Sequence, residues 1–353
     1  MRPETPASVA VSGCGAVARE YHGPALQALQ ADGVVRVVGA HDPDGAAAGR
    51  FCAAFPGARA TTDLDALLAA SPALLVVASP PQHHAEQAIA AMEAGIDVLC
   101  EKPLAPTVAE GERMVAVAEA TGRTLAVAMV RRQLPATRAI RQLLATQAIG
   151  PLVAVECFEG GPFDWPVGSP AWFRPPGGGV LQDIGVHCLD LLSWWLGPPT
   201  SVAYEDDAMG GTEANCRISL THGDVPATVR LSRDWARPNR YVFRGRDGSL
   251  GWTVNEADDL DLELAATGLV GDVRLRPALP TPGRSAADRS ATDRLDPYRR
   301  AFADQLLAIV APADEGPASV PGAEALGVLA LLERCAADRR ALPMPWLVPG
   351  GTP

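Results

Sequence analysis

The first 130 residues alternate short, unbroken apolar runs with stretches of helical periodicity. Val9–Ser12, Val34–Ala40, Leu74–Ala78, Asp97–Glu101 and Thr124–Met129 read as strands, with helices over 16–31, 44–55, 63–70, 82–94 and 107–121 between them. A strand that is apolar throughout must be covered on both faces, and strands joined through helices run parallel. This rhythm dictates a doubly wound α/β sheet of the nucleotide-binding kind. Thr107-Val108-Ala109-Glu110 is a capping box that opens the last of these helices.

After Gly150 the rhythm changes. Leu152–Glu159, Thr200–Ala208, Ala214–Thr221, Ala227–Asp234, Arg240–Arg244 and Ser249–Val254 read as strands in series, which implies a large open, mostly antiparallel sheet. An apolar helix between Gly177 and Gly197 would pack on it. Residues 266–295 read as loop, and two helices, 296–311 and 322–340, close the chain. With 353 residues the expectation is two domains, 1–130 binding a nucleotide and 131–353 serving substrate and oligomerisation.

Composition narrows the function classes. A net charge of −11 with no basic run argues against nucleic acid. The longest apolar stretches, such as Ala325–Leu332, fall short of a membrane span. Met1-Arg2-Pro3-Glu4-Thr5 begins no signal peptide, and seven cysteines without a CxxC spacing suggest reduced thiols, so a cytoplasmic location is expected.

Val9–Ser12 runs into Gly13-Cys14-Gly15-Ala16-Val17-Ala18, a match to G-x-G-x-x-G/A. Gly13, Gly15, Ala16 and Val17 are placed to offer backbone N–H groups to a pyrophosphate at a helix N-terminus. Asp42 ends the second strand, where a carboxylate would hold the adenine-ribose hydroxyls and repel a 2′-phosphate; this favours NAD over NADP. Asp42 equally suits the start of the turn Asp42-Pro43-Asp44-Gly45.

Two further groups carry chemistry. Glu101-Lys102-Pro103 follows a strand end, where Pro103 constrains the backbone that directs Lys102. In the 177–197 helix, a uniform turn of about 100° per residue places Asp183, His187 and Asp190 within roughly 60° of one another. Burying two carboxylates and an imidazole among leucines and tryptophans is costly unless they pair, bind a metal or meet a ligand. Such density marks a functional site.

The ordered set Gly13-x-Gly15-x-x-Ala18, Ser79-Pro80 with His84, Glu101-Lys102-Pro103-Leu104 and Gly178-Gly179-x-Leu181-x-Asp183-x-Gly185-x-His187-x-x-Asp190 resembles the glucose–fructose oxidoreductase / inositol dehydrogenase / rhizopine-catabolism (Gfo/Idh/MocA) family. The resemblance implies a Rossmann domain followed by an α/β domain whose open sheet supports a homodimer or homotetramer. It implies NAD(P)-dependent hydride transfer at a hydroxyl or carbonyl carbon of a sugar, cyclitol or sugar derivative. Lys102 then orients the reacting oxygen, His187 is the acid/base and Asp183 contacts substrate, with Asp190 in support. Ser79, Pro80, His84, Glu101 and Lys102 join the cofactor residues, although the family's Thr-Pro-Asn is here Ser79-Pro80-Pro81. Arg131 and Arg132 follow the last strand and either hold a polar substrate or form a solvated turn. Trp165, Trp172 and Arg174 are candidates for a sugar-stacking lid.

Three other readings stay open from the residues: redox-neutral glycoside cleavage with tightly held NAD, metal-dependent hydrolysis at Asp183, His187 and Asp190, and a non-catalytic NAD-sensing module.

Overall fold

Leu74–Val77 is buried at every position, as the unbroken apolar run requires, and it forms the fourth strand of a parallel sheet. In the computed structural model, which describes residues 5–163, 178–209, 211–236, 238–254, 256–265, 268–274, 290–312 and 318–343, that sheet has seven strands. They are β1 (Ala7–Ser12), β2 (Val35–His41), β3 (Arg59–Thr61), β4 (Leu74–Val77), β5 (Asp97–Cys100), β6 (Leu125–Val127) and β15 (Val320–Pro321), in the order β15-β6-β5-β4-β1-β2-β3. All pair in parallel except β15, which closes the β6 edge antiparallel. The helices between them are α1 (Gly23–Ala31), α2 (Gly45–Cys52), α3 (Leu64–Leu68), α4 (His84–Glu93) and α5 (Val108–Thr121). The capping box forms: Thr107 Oγ1 accepts the Glu110 N–H at 3.3 Å and donates to Glu110 Oε2 at 2.8 Å.

The second sheet has nine strands, β7 (Leu152–Gly160), β8 (Ser201–Asp206), β9 (Asn215–His222), β10 (Val225–Ser232), β11 (Arg240–Gly245), β12 (Gly248–Thr253), β13 (Asp259–Leu264), β14 (Leu269–Arg274) and β16 (Arg339–Ala341). Its order is β14-β13-β12-β11-β7-β10-β9-β8-β16, mostly antiparallel, with β7–β10 and β8–β16 parallel. Along β9 every second residue is buried, the signature of a sheet with one face covered. Helices α6 (Pro135–Ala145), α7 (Val186–Leu196), α8 (Pro297–Val310) and α9 (Gly322–Ala337) complete the chain.

The described residues up to Ile140 and from Arg274 to Ala330 form one compact unit, and those from Arg141 to Val273 and from Leu331 onward form a second. In the first, the Asp32 carboxylate after α1 accepts the backbone N–H groups of Ala291 and Thr292, which ties in the segment leading to α8. In the second, α7 is seated by Trp195. Its ring meets Tyr241, Phe243 and Trp252 edge-on, with centroids 5.8, 5.2 and 6.3 Å away.

Three expectations need correction. β14 lies inside the stretch read as loop, because its exposed apolar Leu269 and Val270 sit at an edge and give no buried pattern. The last helix ends at Ala337, where β16 begins two residues later. The helix carrying Asp183 is not uniform: Leu181–Gly185 is a π-helical turn, and regular α-helix starts at Val186. A π turn rotates less per residue, so a constant 100° wheel misplaces Asp183 relative to His187. The segment Ala18–His22 is a second such turn, ahead of α1.

Trp195→Ala should cost about 3–5 kcal/mol in denaturant unfolding, because it removes the ring that seats α7. A loss below about 1 kcal/mol would contradict this packing.

Candidate active site

Parallel strands deliver their carboxyl ends to one edge of the first sheet. Directly after β1 the chain turns at Gly13, with φ +90°, and a Cβ there would overlap the Ser79 amide in the loop after β4. Only glycine fits both the conformation and the crossing. Gly15 is different: it is exposed, and nothing stands within 4 Å of where its Cβ would lie. The missing side chain there leaves open space above a helix start, which suits the pyrophosphate of a dinucleotide. Ala16 and Val17 beside it are half-buried, and Ala18 is fully buried beneath.

Asp42 uses both carboxylate oxygens. Oδ2 accepts the Cys14 N–H at 2.8 Å and Oδ1 accepts the Asp44 N–H at 2.8 Å, so it starts the turn after β2 and braces the glycine turn after β1. Each oxygen keeps a further lone pair for a ribose hydroxyl. Arg50 pairs with Asp44 at 3.4 Å on the exposed side. Burial pushes the Cys14 thiol up to about 12, with Asp42 and Cys52 adding to it, so Cys14 sits under the turn as a neutral thiol.

Ser79 Oγ donates to Gln87 Oε1 at 2.8 Å. His84 is fully buried, its Nε2 2.9 Å from the Ser79 carbonyl oxygen and its Nδ1 2.9 Å from the Pro103 carbonyl oxygen. It therefore links the Ser79-Pro80 loop to the turn carrying Lys102, and both ring nitrogens are taken. Burial lowers its proton affinity, against the pull of the two carbonyls and Glu101.

The Lys102–Pro103 peptide is cis, and Lys102 is half-buried. Glu101 before it is 7% exposed; its Oε1 lies 2.8 Å from His22 Nε2 and its Oε2 accepts the Lys102 N–H at 3.2 Å. Burial alone would raise the Glu101 carboxyl, but the hydrogen bond and charge of His22, with Lys102, bring it below the ordinary carboxylate value. His22, on the first π turn, gave no signal in the sequence because 79 residues separate it from Glu101.

Arg132 is 6% exposed and paired with Glu324 at 2.6 Å, at the start of α9. Arg131 is likewise buried. The solvated-turn alternative is therefore excluded for this pair. Gln133 Nε2 donates to the Ala318 carbonyl at 2.8 Å.

In the second unit, Gly179 has φ +108° and a Cβ there would collide with the Glu213 carboxylate. The glycine run lets Glu213 reach the start of the π turn, where Oε1 accepts the Leu181 N–H at 2.9 Å. Burial holds the Glu213 carboxyl above its ordinary value. Asp183 pairs with Arg233 Nη2 at 3.1 Å, and the Arg233 guanidinium lies 4.7 Å from the Phe163 ring centroid. His187 and Asp190 are 8% and 1% exposed. Next to His187, Cys188 Sγ lies 3.1 Å from Glu159 Oε1, which also accepts the Tyr241 hydroxyl at 2.6 Å.

Arg233, Glu213 and Glu159 were not singled out from sequence. Arg233 follows a strand and the other two sit amid ordinary sheet patterning; only the glycine run hinted at a close approach. Trp165, Trp172 and Arg174 lie outside the described residues. Among the described residues, no group of three His, Cys, Asp or Glu side chains is arranged to hold a metal ion, and no helix is long and apolar enough to cross a membrane.

Residues 7–129 match the family model for the Gfo/Idh/MocA oxidoreductase family with an NAD-binding Rossmann fold, and 137–251 match that for the Gfo/Idh/MocA C-terminal domain. An uncharacterized oxidoreductase of Schizosaccharomyces pombe is 32% identical over 271 residues, covering 69% of each chain. The chain belongs to the Gfo/Idh/MocA family. It is an NAD(P)-dependent oxidoreductase by that membership. The scyllo-inositol 2-dehydrogenase (NADP(+)) IolU of Bacillus subtilis is 29% identical over 229 residues, which cover 58% of this chain and 70% of that one. An inositol dehydrogenase homolog from Azotobacter vinelandii, solved with NADH and myo-inositol, shares the fold with a TM-score of 0.79 at 21% identity, covering 95% of this chain and 96% of that one.

Burial lowers the proton affinity of His41, His84 and His222 below the ordinary value of 6.5. The unfolded chain therefore takes up these protons more readily, so stability is intact above 6.5 and falls as pH drops below it. Glu213 opposes this as it protonates. A melting temperature lower at pH 5.5 than at pH 7.5 is expected in a thermal-shift series. A flat or rising profile on acidification would contradict the lowered proton affinity of these imidazoles.

Proposed function

We propose that the protein is an NAD-dependent dehydrogenase or reductase acting on a hydroxyl or carbonyl carbon of a sugar, cyclitol or sugar derivative. The observation that carries this reading is the carboxyl edge of the first sheet. There the open space over Gly15, the braced Asp42 and the Lys102 turn follow β1, β2 and β5 of one sheet. When bound, the nicotinamide supplies the hydride acceptor or donor.

The chain's own residues do the rest. Gly13, Gly15, Ala16 and Val17 receive the pyrophosphate, and Asp42 receives the adenine ribose, with Ser79 and Pro80 alongside. Lys102 Nζ donates a hydrogen bond to the reacting oxygen and stabilises alkoxide charge as it develops. An imidazole nitrogen of His187 takes the hydroxyl proton during oxidation and returns it during reduction, as general acid/base catalysis requires. Asp183, held by Arg233, contacts substrate, and Asp190 supports the helix. His84 acts through the two carbonyls it holds rather than by touching the cofactor. The negative charge at Asp42 and the commitment of Arg50 to Asp44 support NAD over NADP. Relatives and structural neighbours bind either cofactor, so the preference is this chain's own.

Lys102→Ala and His187→Asn should each lower turnover by about 100-fold or more while the Kd for NADH, read by fluorescence, stays within about threefold. Unchanged turnover in both variants would overturn the roles of Lys102 and His187. NADP should bind at least about tenfold more weakly than NAD, and Asp42→Ser should narrow that ratio. Equal affinities in the unmodified protein would contradict the role of Asp42.

A further inference from the structure

The buried His22–Glu101 pair of the first unit has no task in the proposed chemistry. His22 is 0% exposed and stands on the π turn Ala18–His22. Its ring meets Phe302 of α8 edge-on at 4.9 Å, a contact that a leucine or phenylalanine would also make. Instead the position carries an imidazole whose Nδ1 is buried with no hydrogen-bond partner among the described residues. A buried nitrogen left unsatisfied is costly, so the other nitrogen has to return something.

What it returns is at Nε2, 2.8 Å from Glu101 Oε1. A carboxylate only accepts, so Nε2 is the donor. The second carboxylate oxygen accepts the backbone N–H of Lys102. His22 thus holds one oxygen and the Lys102 turn holds the other. With both oxygens engaged, the carboxylate plane is fixed where the Lys102 side chain departs. Removing the imidazole would leave a buried carboxylate short of a donor, and such a group recovers by protonating.

We propose that His22, acting through the Glu101 carboxylate, is the positioning residue for Lys102; the inference rests on the oxidoreductase reading above. The other groups that face the pair are few. Lys102 and the buried His84 and Cys100 feel the Glu101 charge. Beside His22, Tyr21 is bordered by Glu20 on the same turn and by Tyr298, Arg299 and Asp296 at the start of α8.

The test combines kinetics on whichever polyol the protein turns over with a substrate-free readout: the pH titration of the Glu101 carboxyl carbon by 13C NMR, assigned with Glu101→Gln. His22→Leu is expected to lower kcat about tenfold or more, with KM for NAD within about threefold. The Glu101 midpoint should rise by about one pH unit or more, and the acid limb of kcat should move with it. His22→Gln, which restores an N–H donor, should recover most of the rate. In the Glu101→Gln background, His22→Leu should have little further effect. A folded His22→Leu protein with unchanged kcat and unchanged Glu101 titration would overturn the proposal. So would equal losses in the Leu and Gln variants with an unshifted carboxyl, since His22 would then only fill space. If His22→Leu does not fold, the Glu101 midpoint in His22→Gln decides, and a value equal to the unmodified protein's with reduced turnover overturns it. If the unmodified protein neither oxidises a polyol nor reduces the matching keto-sugar, the proposed reaction fails, and the His22→Leu titration still judges the pair: a shift upholds it and an unshifted carboxyl overturns it.

Discussion

A carboxylate that is 7% exposed survives in a fold only if donors replace the water it has lost, and Glu101 shows how much structure that demands. Its donors are His22, ahead of α1, and the amide of Lys102, one residue on. His84 then ties the turn after β5 to the loop after β4 by its two ring nitrogens. That loop presses against Gly13 where a side chain would not fit, and Gly13 itself donates to the His41 carbonyl at 2.8 Å. Asp42 completes the series by accepting the Cys14 amide. These contacts join four adjacent strand ends, those of β5, β4, β1 and β2, into one rim.

The second unit uses the same devices on a helix. Glu213 reaches the chain just before α7 because Gly179 has no Cβ, and it satisfies the amide of Leu181. The π turn that follows carries Asp183 towards Arg233, while Trp195 seats the far end of the helix among the rings of β11 and β12. His187 lies between these two anchors. Starting at the next residue, Cys188, a buried polar cluster forms with Glu159 and Tyr241.

Much of this could be read from the chain, and the failures have particular causes. β4 and β5 are apolar at nearly every residue, and the alternation along β9 is regular, so both sheets were legible. β3, β15 and β16 have three residues or fewer and leave no periodicity to read. The two π turns were invisible because a helical wheel assumes one rotation per residue. Asp42 posed two alternatives, of which the structure shows the turn, with Oδ1 accepting the Asp44 N–H while Oδ2 accepts the Cys14 N–H. Asp183 and His187 stood out through residue type in an apolar setting, and Lys102 through its place between a strand end and Pro103. Their partners did not: His22 with Glu101, and Arg233 with Asp183, meet only after long stretches of chain have folded.

A single-turnover experiment tests the proposed hydride transfer most directly. Protein in excess over NAD is mixed with a panel of inositols, sugars and sugar acids while absorbance at the NADH wavelength is followed. NADH formation stoichiometric with bound NAD, for at least one polyol, is the expected result. Tight NAD binding with no NADH from any of them, and no oxidation of added NADH by the matching keto-sugars, would contradict it.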